Sequence, residues 1–399
     1  MKTLKNTFVL LLVALMIISA SSIALAGTND KKSSILSIED GEEIALFYTI
    51  ELSNTISELA DWNGASAEHV ITYYDFNGDI TAYAFDVIKN NEYQGYILIS
   101  ATKDNYPILE FSKGKLPQMI SEKEKVANNL VTKYATRKSL TVDIAESIPV
   151  YGGATFYYTG YKANDITNKT DKQIFVDLVT QKVTDFSDIK HSEMKLDSAK
   201  SLKMQDIQTS WIDLESRMNK NTVLESPVVR TSSIGYIYEV PYELANVAGC
   251  APAAGAMVLG YWDGHGYSSF PSGNTLINDL ADAMGTSGGS TTVSMVDDGI
   301  EEVCDDNGYS NFNAVNDDNV FMSETMTEID ASRPFVLNMQ DGGIGSGRTS
   351  PYGNHAVTCI GYSEGTTDYL FLHDGWSGEN HHYITFGNWD DAKATWVRP

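Results

Sequence analysis

Between Cys250 and Asp263 the chain runs through APAAGAMVLGYW, residues 251–262, without a single charge. This segment constrains the fold more than any other. As a helix rising 1.5 Å per residue it makes a rod of about 18 Å. A helix that is apolar on every side has no face for water and must be enclosed as a central core helix. Pro252 suits the first turn, where its missing N–H breaks no intrahelical bond. Cys250 then stands at or just before the helix N-terminus, where unpaired N–H groups and the positive dipole end favour a thiolate. The plainer reading of the same residue is a packed core cysteine.

The chain opens MKTLKNTFVLLLVALMIISASSIALAGTND, with Lys2 and Lys5, an apolar run from Phe8 to about Ala20, and then Ala24-Leu25-Ala26. That is the order of a secretory signal over residues 1–26. It predicts a secreted, extracellular or cell-surface protein with no integral membrane segment after signal removal. An uncleaved anchor is the alternative, because the run is almost long enough to span. The remaining length exceeds one ordinary core and implies at least two domains. A formal charge of −25 argues against nucleic acid and anionic lipid as partners. Three cysteines, Cys250, Cys304 and Cys359, are too few for a disulfide scaffold, and their odd number leaves at least one thiol free. A Cys304–Cys359 disulfide would leave Cys250 as that thiol. Asn168-Lys169-Thr170 is a glycosylation acceptor pattern that also arises by chance.

Residues 40–62 place Ile44, Phe47, Ile56 and Leu59 on a helical stripe. Strands are expected at HVITYYDF, ITAYAFDVI and YQGYILISA, the first two joined by a turn at Asn77-Gly78-Asp79. Asp75, Asn77 and Asp79 resemble the start of a calcium loop, but the glycine is one place early and no glutamate closes it, so the turn is preferred. ATFYYTGY and QIFVDLVTQKV read as further strands, and Ile207, Trp211, Leu214 and Met218 mark a helix over about 195–219. Residues 220–235 lose periodicity and hold Pro, Ser, Thr and Gly, so the domain boundary is placed near residue 230. This gives an N-terminal α+β domain, 27–230, and a second domain, 231–399. In the second, the uncharged helix is followed by an acidic, Gly-rich middle over 263–331 and then by five β segments, an α+β order.

A nucleophilic thiolate needs a base that also protonates the leaving amine, and histidine suits both near neutral pH. Of seven histidines, His69 and His191 look like surface residues, and His265 is held at the far end of the same helix. His355 begins a β run, while His373, His381 and His382 lie close to Asp374, the last two on opposite sides of one strand. If 353–363 and 366–376 form a hairpin through Glu364-Gly365, Ser363 faces Thr366 and His355 lies directly opposite Asp374. Opposed residues share a face, with Cβ atoms about 5 Å apart, which lets the carboxylate orient the imidazole.

GCAPAAGAMVLGYWDGHGY, then GNHAVTCIGY, then HDGW resemble papain-like cysteine peptidases, and most of all the branch related to bacteriocin-leader-processing (double-glycine) peptidases. The resemblance spans roughly 236–399. It implies a papain-like cysteine peptidase domain with Cys250 as nucleophile, His355 as general base and acid, Asp374 holding His355, and Trp376 shielding that contact. YQGYILISATKDNYPILEFSKG is loosely similar to the pro-segments of secreted papain-fold peptidases. The partner implied is a peptide or protein substrate, with no cofactor and a monomer as the expected state. Members of the fold commonly carry a Gln several residues before the Cys as an oxyanion donor. VPYELANVAGC has none; Asn246 is the nearest amide, and Gln340 is the other candidate. That departure supports an alternative, a catalytically lapsed papain-fold surface or binding protein. Zinc on Cys250, His355, Cys359 and His373 is disfavoured by the lack of metal-ligand spacings. The acids Asp297, Asp298, Asp305, Asp306, Asp317 and Asp318 read as a solvated face rather than a calcium site.

Overall fold

The computed structural model describes residues 35–167, 170–184, 198–221, 233–340, 354–376, 378 and 381–399. The signal segment, Asn168 and the boundary near residue 230 lie outside them. Helix α1 (Ile38–Thr55) starts in a capping box between Ser37 and Asp40, which satisfies two N-terminal donors. Strands β1 (Ser66–Tyr74), β2 (Ile80–Lys89), β3 (Glu92–Ser100) and β4 (Ile108–Ser112) follow as an antiparallel meander. The turn between β1 and β2 is closed by the Asp75 carboxylate, which accepts the Asn77 and Asp79 N–H groups at 2.8 and 2.9 Å. The carboxylate is thus used by the turn itself, as expected of a hairpin.

Helix α2 (Ser121–Lys138) packs Ala127, Val131 and Ala135 on β5 (Leu140–Gly153), β6 (Phe156–Asp165) and β7 (Asp171–Asp177). The stretch QIFVDLVTQKV is a hairpin rather than one strand, because the chain reverses at 178–181 into β8 (Lys182–Thr184). The Asp177 carboxylate accepts the Val179 and Thr180 N–H groups and caps the reversal. Helix α3 (Ser198–Asn221) buries Ile207, Trp211 and Leu214. Its Arg217 reaches Glu51 of α1 and Asp213.

After β9 (Ser233–Tyr236) comes the uncharged helix α4 (Cys250–Gly264), in which Ala251 to Leu259 are all buried. The acidic middle is not irregular. It holds α5 (Asn274–Ala283), α6 (Val296–Asp306), β10 (Asn313–Asp317) and α7 (Met322–Asp330), with Leu276, Ile277 and Leu280, then Val296, Ile300 and Val303, turned into the core beside α4. The chain ends in β11 (Phe335–Gln340), β12 (Asn354–Glu364), β13 (Tyr369–His373), β14 (His382–Thr385) and β15 (Asp391–Arg398). Glu328 of α7 is buried and accepts from both Arg333 and Arg398, at 2.6 and 2.7 Å, which pins the last strand to that helix.

One sheet runs through both halves, in the order β10-β15-β11-β12-β13-β14-β4-β3-β2-β1-β5-β6-β7-β8. The seam is β14 against β4, where Tyr383 pairs with Phe111. Their rings stack at 4.8 Å with 5° between planes, and Trp62 and Tyr369 meet Phe111 edge-on. Thr385 donates to the Ile108 carbonyl at 2.6 Å and Ser112 to that of His381 at 2.8 Å. Among the described residues no helix is long and apolar enough to cross a membrane. Truncating a fully buried aromatic ring at this seam removes its transfer free energy and leaves a cavity, so Phe111→Ala is expected to cost about 3–5 kcal/mol. Urea denaturation followed by tryptophan fluorescence measures it.

Candidate active site

Cys250 is the first residue of α4. Gly249 before it has φ +122°, and a Cβ there would lie 2.7 Å from the Gly289 carbonyl oxygen. Only glycine lets the backbone enter the helix this way so close to that loop. No side chain caps the helix, so its first N–H groups are left to the surroundings of the thiol. His355 is the second residue of β12 and only 2% exposed. Thr358 donates to the Ala254 carbonyl at 3.0 Å, locking the strand to the first turn of α4 and bringing His355 beside Cys250.

Each group moves the other's protonation. Burial alone would raise the Cys250 thiol, but the His355 imidazole, the Ala356 N–H and the Lys182 ammonium outweigh it and hold the thiol below its ordinary value. Burial also opposes the His355 imidazolium, yet Cys250, and then Asp177 and Asp374, raise it above its ordinary value. The contact is looser than a well-aligned hydrogen bond, since neither ring nitrogen of His355 has a partner at hydrogen-bonding geometry. Catalytic hydrogen bonds are often long before substrate arrives. The other thiols differ in kind: burial pushes Cys304 and Cys359 up to about 12. All three cysteines are free, so the Cys304–Cys359 disulfide is not formed; the Cys359 thiol instead turns to the Gly361 carbonyl.

Asp374 is placed otherwise than the tight hairpin predicts. Ser363 pairs with Tyr369 rather than Thr366, because the Asp368 carboxylate accepts the Gly365 N–H at 2.9 Å and closes a longer loop. An irregularity between Cys359 and Gly361 shifts the register once more, and Thr358 faces His373. Asp374 therefore follows the end of β13 and is not directly opposite His355. It accepts from Tyr242 Oη at 3.0 Å, from the Trp376 N–H at 2.8 Å and from His382 Nδ1 at 2.9 Å. The Asp374–His355 bond is not made. Trp376 lies between two imidazoles, with ring centroids 6.0 Å from His355 and 4.9 Å from His382.

His382 was one histidine among several in the sequence, and here it is fully buried between two carboxylates. Its Nε2 meets Glu110 at 2.6 Å. Glu110 belongs to β4 and also accepts from Tyr151, Tyr157 and the Thr155 N–H. Burial opposes the imidazolium, but Glu110 and then Asp374 raise His382 to about 9. Its neighbour His381 reaches out the other way, to Glu58 at 2.6 Å and to Tyr236 Oη at 2.7 Å. A sequence signal for Glu110 existed: it is the one charge inside the apolar strand ILEFS, and a buried charge demands a partner.

Three other residues of the N-terminal half reach the pair. The Phe156 ring packs edge-on to His355 at 5.9 Å. Asp177 and Lys182, at the two ends of the β7–β8 reversal, act on His355 and Cys250 by their charges, and Lys182 Nζ donates to Ser290 Oγ at 2.7 Å. Asn246 is exposed in the turn 245–248 and makes no side-chain hydrogen bond with a described residue. Gln340 ends β11, and its side chain lies outside the description. Among the described residues no three His, Cys, Asp or Glu side chains are grouped to hold a metal ion. The Asp297 and Asp317 carboxylates accept from Asn316, Asn319 and Trp396, and Asp318 pairs with Lys393.

A central helix bearing a cysteine at its N-terminus, set against an antiparallel sheet that bears the histidine, makes the C-terminal part of the chain an α+β domain with a Cys–His pair. Comparison with known families is more particular: residues 237–398 match the model of the Peptidase_C39-like family, so this part of the chain is similar to C39-related peptidases. A solved fragment of prointerpain A from Prevotella intermedia aligns with 84% of this chain and 98% of its own, at 10% identity and a TM-score of 0.31. No curated protein matches.

Two measurements follow from the protonation pattern. Iodoacetamide at pH 6 is expected to alkylate Cys250 at least tenfold faster than Cys304 or Cys359, read by peptide mass spectrometry, because only the thiolate reacts. His382 keeps its proton in the folded chain up to about 9, whereas in the unfolded chain it loses it near 6.5. Its contribution to stability is therefore complete below about 6.5 and fades as pH climbs through about 9, a loss on the order of 3 kcal/mol. Urea midpoints at pH 6.5 and 9.5, in wild type and His382→Gln, test this: the variant's midpoint should change less.

Proposed function

We propose that the protein is a secreted cysteine peptidase made as a precursor, in which residues 1–26 direct export, the N-terminal half restrains the enzyme, and residues 231–399 cleave peptide bonds. The observation that carries this reading is the placement of Cys250 at the N-terminus of an enclosed helix with His355 locked beside it by the Thr358–Ala254 contact, an arrangement that lowers the thiol and raises the imidazole. In the forward step the Cys250 thiolate attacks the substrate carbonyl carbon and the His355 imidazolium gives its proton to the departing amine. The acyl-enzyme is then hydrolysed by water whose proton goes to His355, and the thiolate is restored. In the active enzyme Asp374 turns from His382 to the His355 imidazole, to which it is not bonded here, and fixes its tautomer and orientation under the cover of Trp376.

Restraint by the N-terminal half is supported by Phe156, which packs on His355, and by Asp177 and Lys182, whose charges act on the pair. A second reading, a papain fold whose catalysis has lapsed, is favoured by one observation: Asn246, the nearest amide ahead of Cys250, is exposed and makes no side-chain hydrogen bond with a described residue. Loss of one such donor costs on the order of a hundredfold in rate or more.

Cys250→Ala is expected to abolish peptide cleavage while leaving the circular dichroism spectrum unchanged; retained cleavage rejects the nucleophile. For the restraint, a chain starting near Ser226 should cleave a peptide library at least tenfold faster than the intact chain. Equal rates would remove the inhibitory role.

A further inference from the structure

We propose, resting on the Cys250–His355 reading above, that His382 is a positioning residue of the site and that Glu110 of the N-terminal half decides what it does. With Glu110 in place, the Glu110–His382–Asp374 chain holds Asp374 off His355; without Glu110, Asp374 passes to the imidazole.

The geometry carries this in three steps. First, both ring nitrogens of His382 face carboxylate oxygens, Glu110 at 2.6 Å and Asp374 at 2.9 Å, with no exposure on any of the side chains. A neutral ring has one acceptor nitrogen, which would point its lone pair at a carboxylate; with both carboxylates ionised, only a ring protonated on both sides satisfies both contacts. Second, Glu110 is anchored by its own half, through Tyr151, Tyr157 and the Thr155 N–H, so its position does not depend on His382. Third, Asp374 is fastened unevenly. Its Oδ1 takes the Tyr242 hydroxyl and the Trp376 N–H, while Oδ2 takes His382. Removing Glu110 leaves a buried imidazolium with half its counter-charge, which favours the neutral ring. Among the described residues, the contact that His382 makes to Oδ2 then comes from a neutral donor in place of a charged one. The His355 ring can take this oxygen, because Cys250 engages that ring only through a loose contact, neither ring nitrogen meets a described residue at hydrogen-bonding geometry, and the Asp374 charge already acts on it.

Other charged groups face the same cluster. Lys123 of α2 acts on Asp374, and Asp177 and Lys182 act on the Cys250–His355 pair. Glu58 and His381 form a parallel contact between the halves on the other side of β14, with no bond to Asp374. Among these contacts, the one through Glu110 and His382 ties the N-terminal half directly to the aspartate.

The test uses the full chain and the alkylation rate of Cys250 by iodoacetamide at pH 6. Glu110→Gln should raise that rate about tenfold, corresponding to a fall of about one unit in the thiol midpoint as His355 gains a carboxylate. His382→Asn should do the same. Adding Asp374→Asn to Glu110→Gln should remove the gain. If the double variant keeps it, the effect is mere loosening of the N-terminal half and the proposal is overturned. An unchanged rate in folded Glu110→Gln overturns it as well. Should the variants not fold, ring ¹⁵N shifts of wild-type His382 decide: two protonated nitrogens at pH 8 support the chain, and a neutral ring sinks it. If wild-type Cys250 reacts no faster than Cys304 and Cys359, the nucleophile reading itself falls and takes this proposal with it. A selectively reactive Cys250 with no response to Glu110→Gln removes the positioning role alone.

Discussion

Strand β4 is hydrogen-bonded on both edges, to β3 of its own half and to β14 of the other, and this pairing makes one sheet of two halves. An unpaired strand edge in this interior would leave N–H and C=O groups without partners, so once β4 and β14 meet, their register is set by the ladder and by the stacked rings of Phe111 and Tyr383. Glu110 lies on that strand beside Phe111, and His382 lies beside Tyr383. The ladder that joins the halves therefore also delivers a carboxylate to the imidazole next to Asp374.

The chemistry divides along the same seam. Cys250 and His355 come from α4 and β12, both within the C-terminal half, and are held together by the Thr358–Ala254 contact. Their environment is completed from the other half by Phe156, Asp177 and Lys182. The pair is thus held within the C-terminal half, while Phe156 packs on His355 and Glu110 contacts His382 beside Asp374 from the N-terminal half. A low thiol value in a buried place is an electrostatic achievement, because burial acts against the charged form. Here it rests on one imidazole, one N–H and one ammonium acting together. The buried thiols Cys304 and Cys359, which lack that company, show what burial alone does.

Much of the fold was legible because periodicity and local turn chemistry survive in any context. The uncharged run 251–262 had to be an enclosed helix, and it is. Asp75 and Gly78 made a turn, and the strands around them fell close to where alternation put them. Helix α2 went unread because its buried stripe is only Ala127, Val131 and Ala135, small residues in a charged sequence. Helices α5 to α7 were obscured by acids and glycines, although Val296, Ile300 and Val303 carried the right spacing. The hairpin register failed on a detail that no pattern announces, the Asp368 carboxylate closing a longer loop and a bulge beyond it.

By itself the sequence determined local placements: one thiol at the mouth of an apolar helix and a histidine opening a strand. Short-range rules suffice for that, since helix polarity, capping and side-chain type act over a few residues. Tertiary structure alone decided the company those residues keep. Glu110 and His382 are separated by most of the chain, and their contact exists only because two distant strands share a ladder. Electrostatic partners are set by distance in space, through a low-dielectric interior where a few ångströms change the balance, and linear order holds no record of that distance.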